Sequence, residues 1–443
     1  MPFLAKSYKQ IDDKTYEYEL RDDIVWHDGE KFGADDVVFT LNRLVDKSYT
    51  FRFKEKFNFI AQAEKLGPFK VRVTNVQPTS GDFPVLAFNT GILPAHLTKK
   101  FPNYDDSVWQ PVGTGMFKAL QVDRNKGIIF ERNPAYKHGG TLKPASTIGR
   151  WHLMPIPDKG TQLAQFMVGN VDAVRDLDLD QAADMAKRPG SAPMIHQATR
   201  YMCLALDAKG RAGNKALQDP RVRRAVLMAV DSPEILKITI GEHKVRRIPD
   251  QLCYKFQAGC DCTLPPPKYD PDGAKKLLAE AGYPNGFEIE ITTFNYRLLK
   301  NVTELMTSQL GRVGIKATID SREVNAYRSK QRDGKIQAMV GSWPAGSNPD
   351  VSATLNFLYA PTETTDYHGD REMIGNAIKL ADMVNGPERQ AIGRKVFDRA
   401  TEQSYFLPLS PYPIILVHSA DLKIEGDDFS AFGIEVDGIN WKK

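Results

Sequence analysis

The sequence predicts an α/β protein with more than one hydrophobic core. The chain has 443 residues, 42% of them hydrophobic, and a single core stops growing at roughly 250 to 300 residues. Between Tyr269 and Ile319 the segments DPDGAKKLLAEAG, FEIEITTF, NVTELMTSQLGRVG and IKATID alternate between helix-like and strand-like patterns. This alternation is typical of a mostly parallel sheet. We therefore expect two or three globular units.

The opening third of the chain predicts an α+β unit. A strand-like KTYEYELR precedes a turn at Asp28 and Gly29, a helical GADDVVFTLNRLV and an alternating FKVRVTNVQPT. Asp35 and Asp36 stand near the start of the helix, where unpaired backbone N–H groups and the helix dipole favour a carboxylate. These two acids are interpreted as structural.

Later elements are marked by clear turn and cap signals. MFKALQV and IIFERN, joined by DRNKG, predict a hairpin. TQLAQFMVGNVDAV predicts a helix that ends near Gly169, and QDPRVRRAVLMAVD predicts one capped by Asp219 with Pro220 in its first turn. Gly282 and Gly314 stand where helices end. GRKVFDRATEQ predicts a further helix, and YFLPLSPYPIILVHS a strand.

Charge and hydropathy exclude some classes of partner. The chain has 59 basic and 55 acidic residues, and their signs alternate, whereas nucleic-acid binding favours long basic blocks. Apolar runs such as FLPLSPYPIILV are interrupted by proline and fall short of the roughly 18 residues that a membrane-spanning helix needs. We expect neither a nucleic-acid partner nor a membrane span.

No catalytic signature stands in the sequence. The motifs G-x-S-x-G, H-E-x-x-H, G-x-x-x-x-G-K-[ST] and G-x-G-x-x-G are absent, and no two of the eight histidines are spaced i, i+4. We therefore predict no catalytic residue, no cofactor and no histidine-based metal site.

Three of the four cysteines cluster in CYKFQAGCDCTLPPPKYD. Cys253 can bridge to either Cys260 or Cys262 in an oxidising compartment, and we favour one such disulfide. A site in which all three thiolates bind a metal is the alternative, although the usual C-x2-C spacing and a fourth ligand are missing. Cys203 lies in the apolar RYMCLAL and is interpreted as a core residue.

Six motifs in order carry a resemblance to a known family. They are LAKSYKQIDDKTYEYELRDDIVWHDGEKFGADDVVFTLNRL, PVGTGMFKA, FERNPAY, LQDPRVRRAVLMAVD, YDPDGAKKLLAEAGYPNGFEIEI and LGRVGIKATI. Together they resemble the bacterial extracellular solute-binding proteins of family 5, the dipeptide, oligopeptide and nickel type. Met116 stands where the second motif of the family usually has a proline.

The resemblance implies a two-lobed, class II fold like that of periplasmic binding proteins, with hinge strands and an extra α+β subdomain. We assign residues 1–110 to that subdomain, 111–204 with 417–443 to the first lobe, and 205–416 to the second. Family members begin with a signal sequence and further residues, so we expect a truncated N-terminus and a periplasmic protein. A monomer that delivers its ligand to the permease of an ABC importer is expected.

The segment GSWPAGSNPDVSATLNF resembles the ligand loop of the family. Peptide binders carry an aspartate for the ligand ammonium three residues after the tryptophan, but this chain has Gly346 there, so plain peptides are poorly served. The predicted contacts in this loop are Trp343, Ser342, Gly346, Ser347, Asn348 and Asp350.

Three further residues are candidate ligand contacts. Arg297 lies near the position where peptide binders pair an arginine with a carboxylate, with a solvated helix-start arginine as the alternative. Tyr201 and Trp109 are aromatic candidates for which core packing is favoured. The predicted function is capture of an opine, a sugar derivative or a modified peptide; the alternative is an enzyme or chaperone-like protein on the same scaffold.

Overall fold

The computed structural model describes residues 4–49, 54–79, 85–87, 90–100, 111–123, 125–136, 146–241, 249, 251–343, 350–355, 366–425 and 438–442. The chain forms two compact units. The first unit comprises Met1–Val174, His418–Gly426 and Ile434–Lys443, and the second comprises Arg175–Val417 and Asp427–Gly433. The lobe boundaries predicted from the sequence stay predictions.

The first unit begins with an antiparallel sheet covered by a helix. Apolar and polar residues alternate along its strands, so that side chains such as Val71 and Val73 are buried on one face. Trp26 and Phe32 complete this core. The elements are β1 (Ala5–Gln10), β2 (Thr15–Leu20), α1 (Ala34–Val45), β3 (Ile60–Gly67) and β4 (Lys70–Asn75), and the strand order is β1-β2-β4-β3.

Asp36 ties three parts of this unit together from the first turn of α1. Its buried carboxylate accepts hydrogen bonds from the backbone N–H groups of Gly33 at 3.0 Å and Ala95 at 2.9 Å, and from the indole Nε1–H of Trp26 at 3.2 Å. Ala95 begins α2 (Ala95–Lys100). A buried carboxylate is tolerated when its oxygens are satisfied in this way. The structural role predicted for Asp36 is confirmed.

The rest of the first unit contains two small antiparallel sheets and a helix. Thr147 links the N-terminal part of this unit to its C-terminal part. The backbone N–H of Thr147 donates to Asn440 Oδ1 at 2.8 Å, and its Oγ1 accepts from the backbone N–H of Trp441 at 2.7 Å. The elements are β5 (Phe117–Asp123), β6 (Gly127–Arg132), β7 (Arg150–Leu153), α3 (Lys159–Met167), β14 (Leu422–Ile424) and β15 (Ile439–Trp441).

The second unit is built on a six-stranded mixed sheet. Strand β10 runs parallel to β11 and β12, and β12 pairs antiparallel with β9. The chain passes between the units inside β8 and again inside β13. The strands are β8 (Ala173–Arg175), β9 (Ser191–Leu206), β10 (Glu288–Phe294), β11 (Lys316–Arg322), β12 (Ala338–Trp343) and β13 (Phe406–Ser419), in the order β11-β10-β12-β9-β13-β8.

Helices surround this sheet and bury its apolar residues. Leu204, Ile291 and Val340 on three different strands are almost fully buried in one large core. The helices are α4 (Leu179–Ala186), α5 (Pro220–Met228), α6 (Ser232–Ile240), α7 (Pro271–Glu280), α8 (Arg297–Gly311), α9 (Val324–Arg332), the single turn α10 (Ser352–Thr354), α11 (Arg371–Asp382) and α12 (Pro387–Glu402). Over the described ranges, no helix is long and apolar enough to cross a bilayer.

The predicted alternation of helix and strand between Tyr269 and Ile319 is confirmed as α7, β10, α8 and β11. Asp219 caps α5 by accepting the backbone N–H of Arg221 at 2.8 Å. Gly282 has a φ of +90°, a conformation that favours glycine after a helix end. The bounds differ at α8, which begins at Arg297, whereas the sequence pattern places its start at Asn301.

A disulfide joins Cys253 to Cys260. Cys262 lies outside this bond, although its Sγ is 4.0 Å from Cys253 Sγ. Cys203 is buried in the core of the second unit, where burial raises the pKa of its thiol to about 12. With two of the three clustered sulfurs bonded to each other, this form of the protein does not offer the three thiolates of the alternative metal site.

His27 holds the PVGTG turn in the first unit. The backbone N–H of Gly113 donates to its Nδ1 at 3.1 Å, so the proton of the neutral ring lies on Nε2, which is 3.0 Å from the carbonyl oxygen of Gly115. Burial lowers the pKa of His27 below its ordinary value. Protonation would place a second proton on Nδ1, which faces a donor.

We expect the first unit to lose stability as the pH falls below about 6.5, the ordinary histidine pKa. The unfolded chain binds a proton at His27 there while the folded chain does not, so the free energy of unfolding decreases as the pH decreases. Urea unfolding of wild type and His27→Gln at pH 7.5 and 5.5 measures this. The variant should show a smaller pH-dependent loss; an equal loss in both would assign the effect to other groups, His418 included, whose pKa burial also lowers.

Candidate functional site

The carboxyl ends of β10 and β12 define one edge of the sheet in the second unit. In open α/β sheets, ligands bind outside this edge because the loops that follow parallel strands converge there. Strand β12 ends at Trp343, whose backbone pairs with that of Tyr201 on β9. Arg200, which precedes Tyr201 on β9, and Tyr296, which follows β10, therefore lie at the same edge.

Arg200 is the central charged group of this edge. Its Nε and Nη2 donate to the hydroxyl oxygen of Ser342 at 3.0 and 2.6 Å. Its guanidinium carbon lies 4.4 Å from the centre of the Tyr412 ring, within the range of a cation–π contact. The side chain is half-buried, and no carboxylate of a described residue forms an ion pair with it. Two independent contacts thus fix a guanidinium that has no carboxylate counter-ion among the described residues.

Aromatic rings extend the edge on both sides of Arg200. Tyr412 on β13 is half-buried, and burial raises the pKa of its hydroxyl. Tyr296 is 42% exposed and stacks on Phe294 at 5.8 Å between ring centres, and Phe294 stacks in turn on Tyr327 at 4.0 Å. Partly exposed aromatic rings beside a fixed polar group are typical of small-molecule sites.

Arg297 differs from Arg200 in having carboxylate partners. Its Nη1 lies 2.7 Å from Asp178 Oδ2 and its Nη2 lies 3.3 Å from Asp180 Oδ2, while the side chain remains 59% exposed. It begins α8, so it is a helix-start arginine whose charge is already compensated. The role of Arg297 in carboxylate recognition stays a prediction.

Some of the predicted loop residues lie at the edge of the sheet, and others lie outside the described residues. Ser342 lies on the edge and contacts Arg200. Trp343 is the last residue of β12, and only its backbone is described. Gly346, Ser347, Asn348 and the separate candidate Trp109 lie outside the described residues. Their contact with a ligand stays a prediction.

Asp350 and Tyr201 lie inside the second unit. Asp350 is 2% exposed, and its Oδ1 is 2.9 Å from Nη2 of the equally buried Arg389. Tyr201 is fully buried, and its hydroxyl donates to the carbonyl oxygen of Leu252 at 2.7 Å. Both side chains therefore have interior partners, and their predicted contacts with a ligand stay predictions.

Arg200 and Tyr412 are not among the residues predicted from the sequence. The available signal was a single cation at the entrance of the apolar run RYMCLAL, next to the aromatic residue that was singled out. Tyr412 was hidden in the run YFLPLSPYPIILVHS, whose residues are mostly buried. Neither the pairing of β9 with β12 nor that of β9 with β13 can be deduced from local sequence, and those pairings bring Arg200 to Ser342 and Tyr412.

Comparisons with known proteins identify what the chain is similar to. The family model for bacterial extracellular solute-binding proteins, family 5 (middle), matches residues 1–366. The glutathione-binding protein GsiB of Shigella dysenteriae serotype 1 is 27% identical over 443 residues, which cover 95% of this chain and 82% of that protein.

Solved structures share the fold over nearly the whole chain. The ABC transporter substrate-binding protein CtaP of Listeria monocytogenes matches with a TM-score of 0.87 and 18% identity, covering 100% of this chain and 91% of that one. AgaA of A. tumefaciens, in complex with agropinic acid, matches with a TM-score of 0.76 and 24% identity, covering 99% and 89%. The expected fold class, that of two-lobed periplasmic binding proteins, is confirmed.

We expect Asp350→Ala to lower the free energy of unfolding by about 3 to 5 kcal/mol, because Arg389 is left as a buried charge without its counter-ion. Chemical denaturation measures this loss. The matched control is Asp261→Ala, which removes the partner of Arg394 in a pair whose side chains are 26% and 55% exposed and should cost less than about 1 kcal/mol. An Asp350 variant of normal stability would contradict the structural role.

Proposed function

The chain belongs to the bacterial extracellular solute-binding proteins of family 5, and from this membership we propose that it captures a small carboxylate-bearing organic solute in the periplasm. It then delivers that solute to the permease of an ABC importer. The observation that carries the choice of ligand is the half-buried guanidinium of Arg200, fixed by Ser342 and Tyr412 without a carboxylate partner among the described residues.

A half-buried cation without a counter-ion is unfavourable for the folded protein alone. Removing a charge from water costs free energy unless a partner and hydrogen bonds replace the lost hydration. Such an arrangement is expected where the missing partner is a ligand, because binding sites keep groups that are satisfied only in the complex. The position of Arg200 on the carboxyl edge of the sheet agrees with this interpretation.

The remaining donors of Arg200 suit an anion with two oxygens. A guanidinium carries five N–H groups, and the contacts with Ser342 use one on Nε and one on Nη2. Three therefore remain, two on Nη1 and one on Nη2. Neighbouring N–H groups on two nitrogens match the two oxygens of a carboxylate, and such pairs are the strongest hydrogen-bonded contacts of arginine.

The ligands that are named for similar proteins contain a carboxylate. GsiB binds glutathione by its name, and AgaA is solved with agropinic acid. Glutathione and agropinic acid are both organic acids. Because Gly346 stands where a peptide binder would have an ammonium-pairing aspartate, we favour an opine, a modified peptide or a sugar acid over a plain peptide. The alternative roles, an enzyme or a chaperone-like protein on this scaffold, gain no support from the described residues.

Native mass spectrometry of the purified protein tests capture directly. We expect a stoichiometric small molecule that is released on heating, carries at least one carboxylate and is not converted to a product. Thermal-shift titration with glutathione, agropinic acid and a set of unmodified dipeptides then compares ligand classes. Tight binding of ordinary dipeptides would contradict the interpretation of Gly346, and turnover of a bound compound would favour the enzyme.

We expect Arg200→Gln to weaken binding of the captured acid about 30-fold or more, since losing one partner of a desolvated charge pair costs about 2 kcal/mol or more. Isothermal titration measures this loss, and the folded protein itself should change in stability by less than about 1 kcal/mol. The matched control Arg221→Gln removes an arginine that is 51% exposed and paired with Asp219, and it should bind normally. Equal affinity of wild type and Arg200→Gln would exclude Arg200 from the site.

A further inference from the structure

Beyond solute capture, we propose that Cys253, Cys260 and Cys262 form a thiol–disulfide exchange centre in the second unit. In this centre the Cys262 thiolate displaces Cys260 from Cys253, and the reverse reaction restores the first bond. The centre thus alternates between a Cys253–Cys260 and a Cys253–Cys262 disulfide. It is a site of reversible covalent chemistry that solute binding does not require.

The three sulfur atoms are close enough for this exchange. Cys253 and Cys260 are joined, and the Sγ of Cys262 lies 4.0 Å from the Sγ of Cys253. All three sulfurs lie within 4.8 Å of one another. A thiolate attacks a disulfide at one of its sulfurs through direct contact, so only a small approach of Cys262 toward Cys253 is needed.

Packing against Val351 and contacts with α12 hold the chain on both sides of Cys260 and Cys262. On one side, a Cβ built on Gly259 would lie 2.8 Å from Val351 Cγ2 and 3.0 Å from Arg389 Nη1, so this backbone is tightly packed. On the other, the backbone N–H of Thr263 donates to Asp398 Oδ1 at 2.8 Å. The short segment between these anchors carries both exchanging cysteines, which keeps either sulfur near Cys253.

The reaction balances without an external oxidant or reductant. Cys262 loses its proton to solvent, and its sulfur forms a bond with Cys253 Sγ while the bond between Cys253 and Cys260 breaks. The electron pair of the broken bond leaves on Cys260, which takes up a proton from solvent. The number of disulfides and thiols is unchanged, and only the position of the thiol moves from residue 262 to residue 260.

Burial differs among the three cysteines in the way such a centre requires. Cys253 is 0% exposed, whereas Cys260 and Cys262 are half-buried. The shared central sulfur is thereby shielded from outside thiols, while the thiol stands at a partly accessible position in either form. Cys203 is fully buried, and its raised thiol pKa keeps it out of the reaction.

Peptide mapping distinguishes the two disulfides because proteases separate the three cysteines. Trypsin cleaves after Lys255 and an aspartate-specific protease cleaves before Asp261, so each clustered cysteine ends on its own peptide. The full chain is incubated at mildly alkaline pH with slow-reacting iodoacetamide and no added thiol, acidified and digested. We expect alkylated Cys260 with a Cys253–Cys262 cross-link to accumulate beside alkylated Cys262 with the Cys253–Cys260 cross-link.

Two variants make the test decisive. Purified under air, Cys260→Ser should form the Cys253–Cys262 disulfide, and Cys262→Ser should keep only Cys253–Cys260. Cys203 is the internal reference, since it should react with iodoacetamide only after denaturation. The proposal is overturned if Cys260→Ser retains two alkylatable thiols at residues 253 and 262, or if the wild-type protein yields alkylated Cys262 alone. Ligand titration of the same variants is a separate measurement and leaves this result independent of the solute-binding proposal.

Discussion

The buried ion pair between Asp350 and Arg389 is the interaction on which much of the second unit depends. Arg389 also donates to the carbonyl oxygen of Leu380 at 3.0 Å and to Asn385 Oδ1 at 2.6 Å, so it joins α11 to α12. Asp350 forms a parallel β-bridge with Ala258, which lies between Cys253 and Cys260. One guanidinium therefore connects two helices with Asp350 of the predicted ligand loop and, through the bridge of Asp350, with the chain between Cys253 and Cys260. Such a pair contributes through its position, since a buried pair adds little net stability.

Arg389 and Arg200 lie in the same unit but in different surroundings. Those of Arg389 give it a structural role, whereas those of Arg200 agree with the proposed binding role. Arg389 is fully buried and fully partnered, so its charge is used inside the protein. Arg200 is half-buried and contacts only a hydroxyl and an aromatic ring among the described residues. A half-buried cation in such surroundings does not by itself stabilise the folded protein. The contrast supports a ligand as the partner of Arg200.

The sequence predicted the fold better than the site, for physical reasons. Helix and strand patterns are local, so α7, β10 and β11 could be identified from spacing, and the capping roles of Asp36 and Asp219 followed from their positions at helix starts. Asp350 could be read only as a loop acid, because its partner lies 39 residues away on another element. Arg200 was missed because its neighbours come from β12 and β13, which only the sheet order reveals.

The first unit is discontinuous in sequence, and this has a consequence for its biosynthesis. Its N-terminal part ends at Val174, yet β14 and β15 come from residues beyond His418, and Thr147 takes its hydrogen-bond partners from Asn440 and Trp441. A ribosome delivers those partners only after the entire second unit. The first unit thus cannot complete its hydrogen bonds until the chain of the second unit has been synthesised.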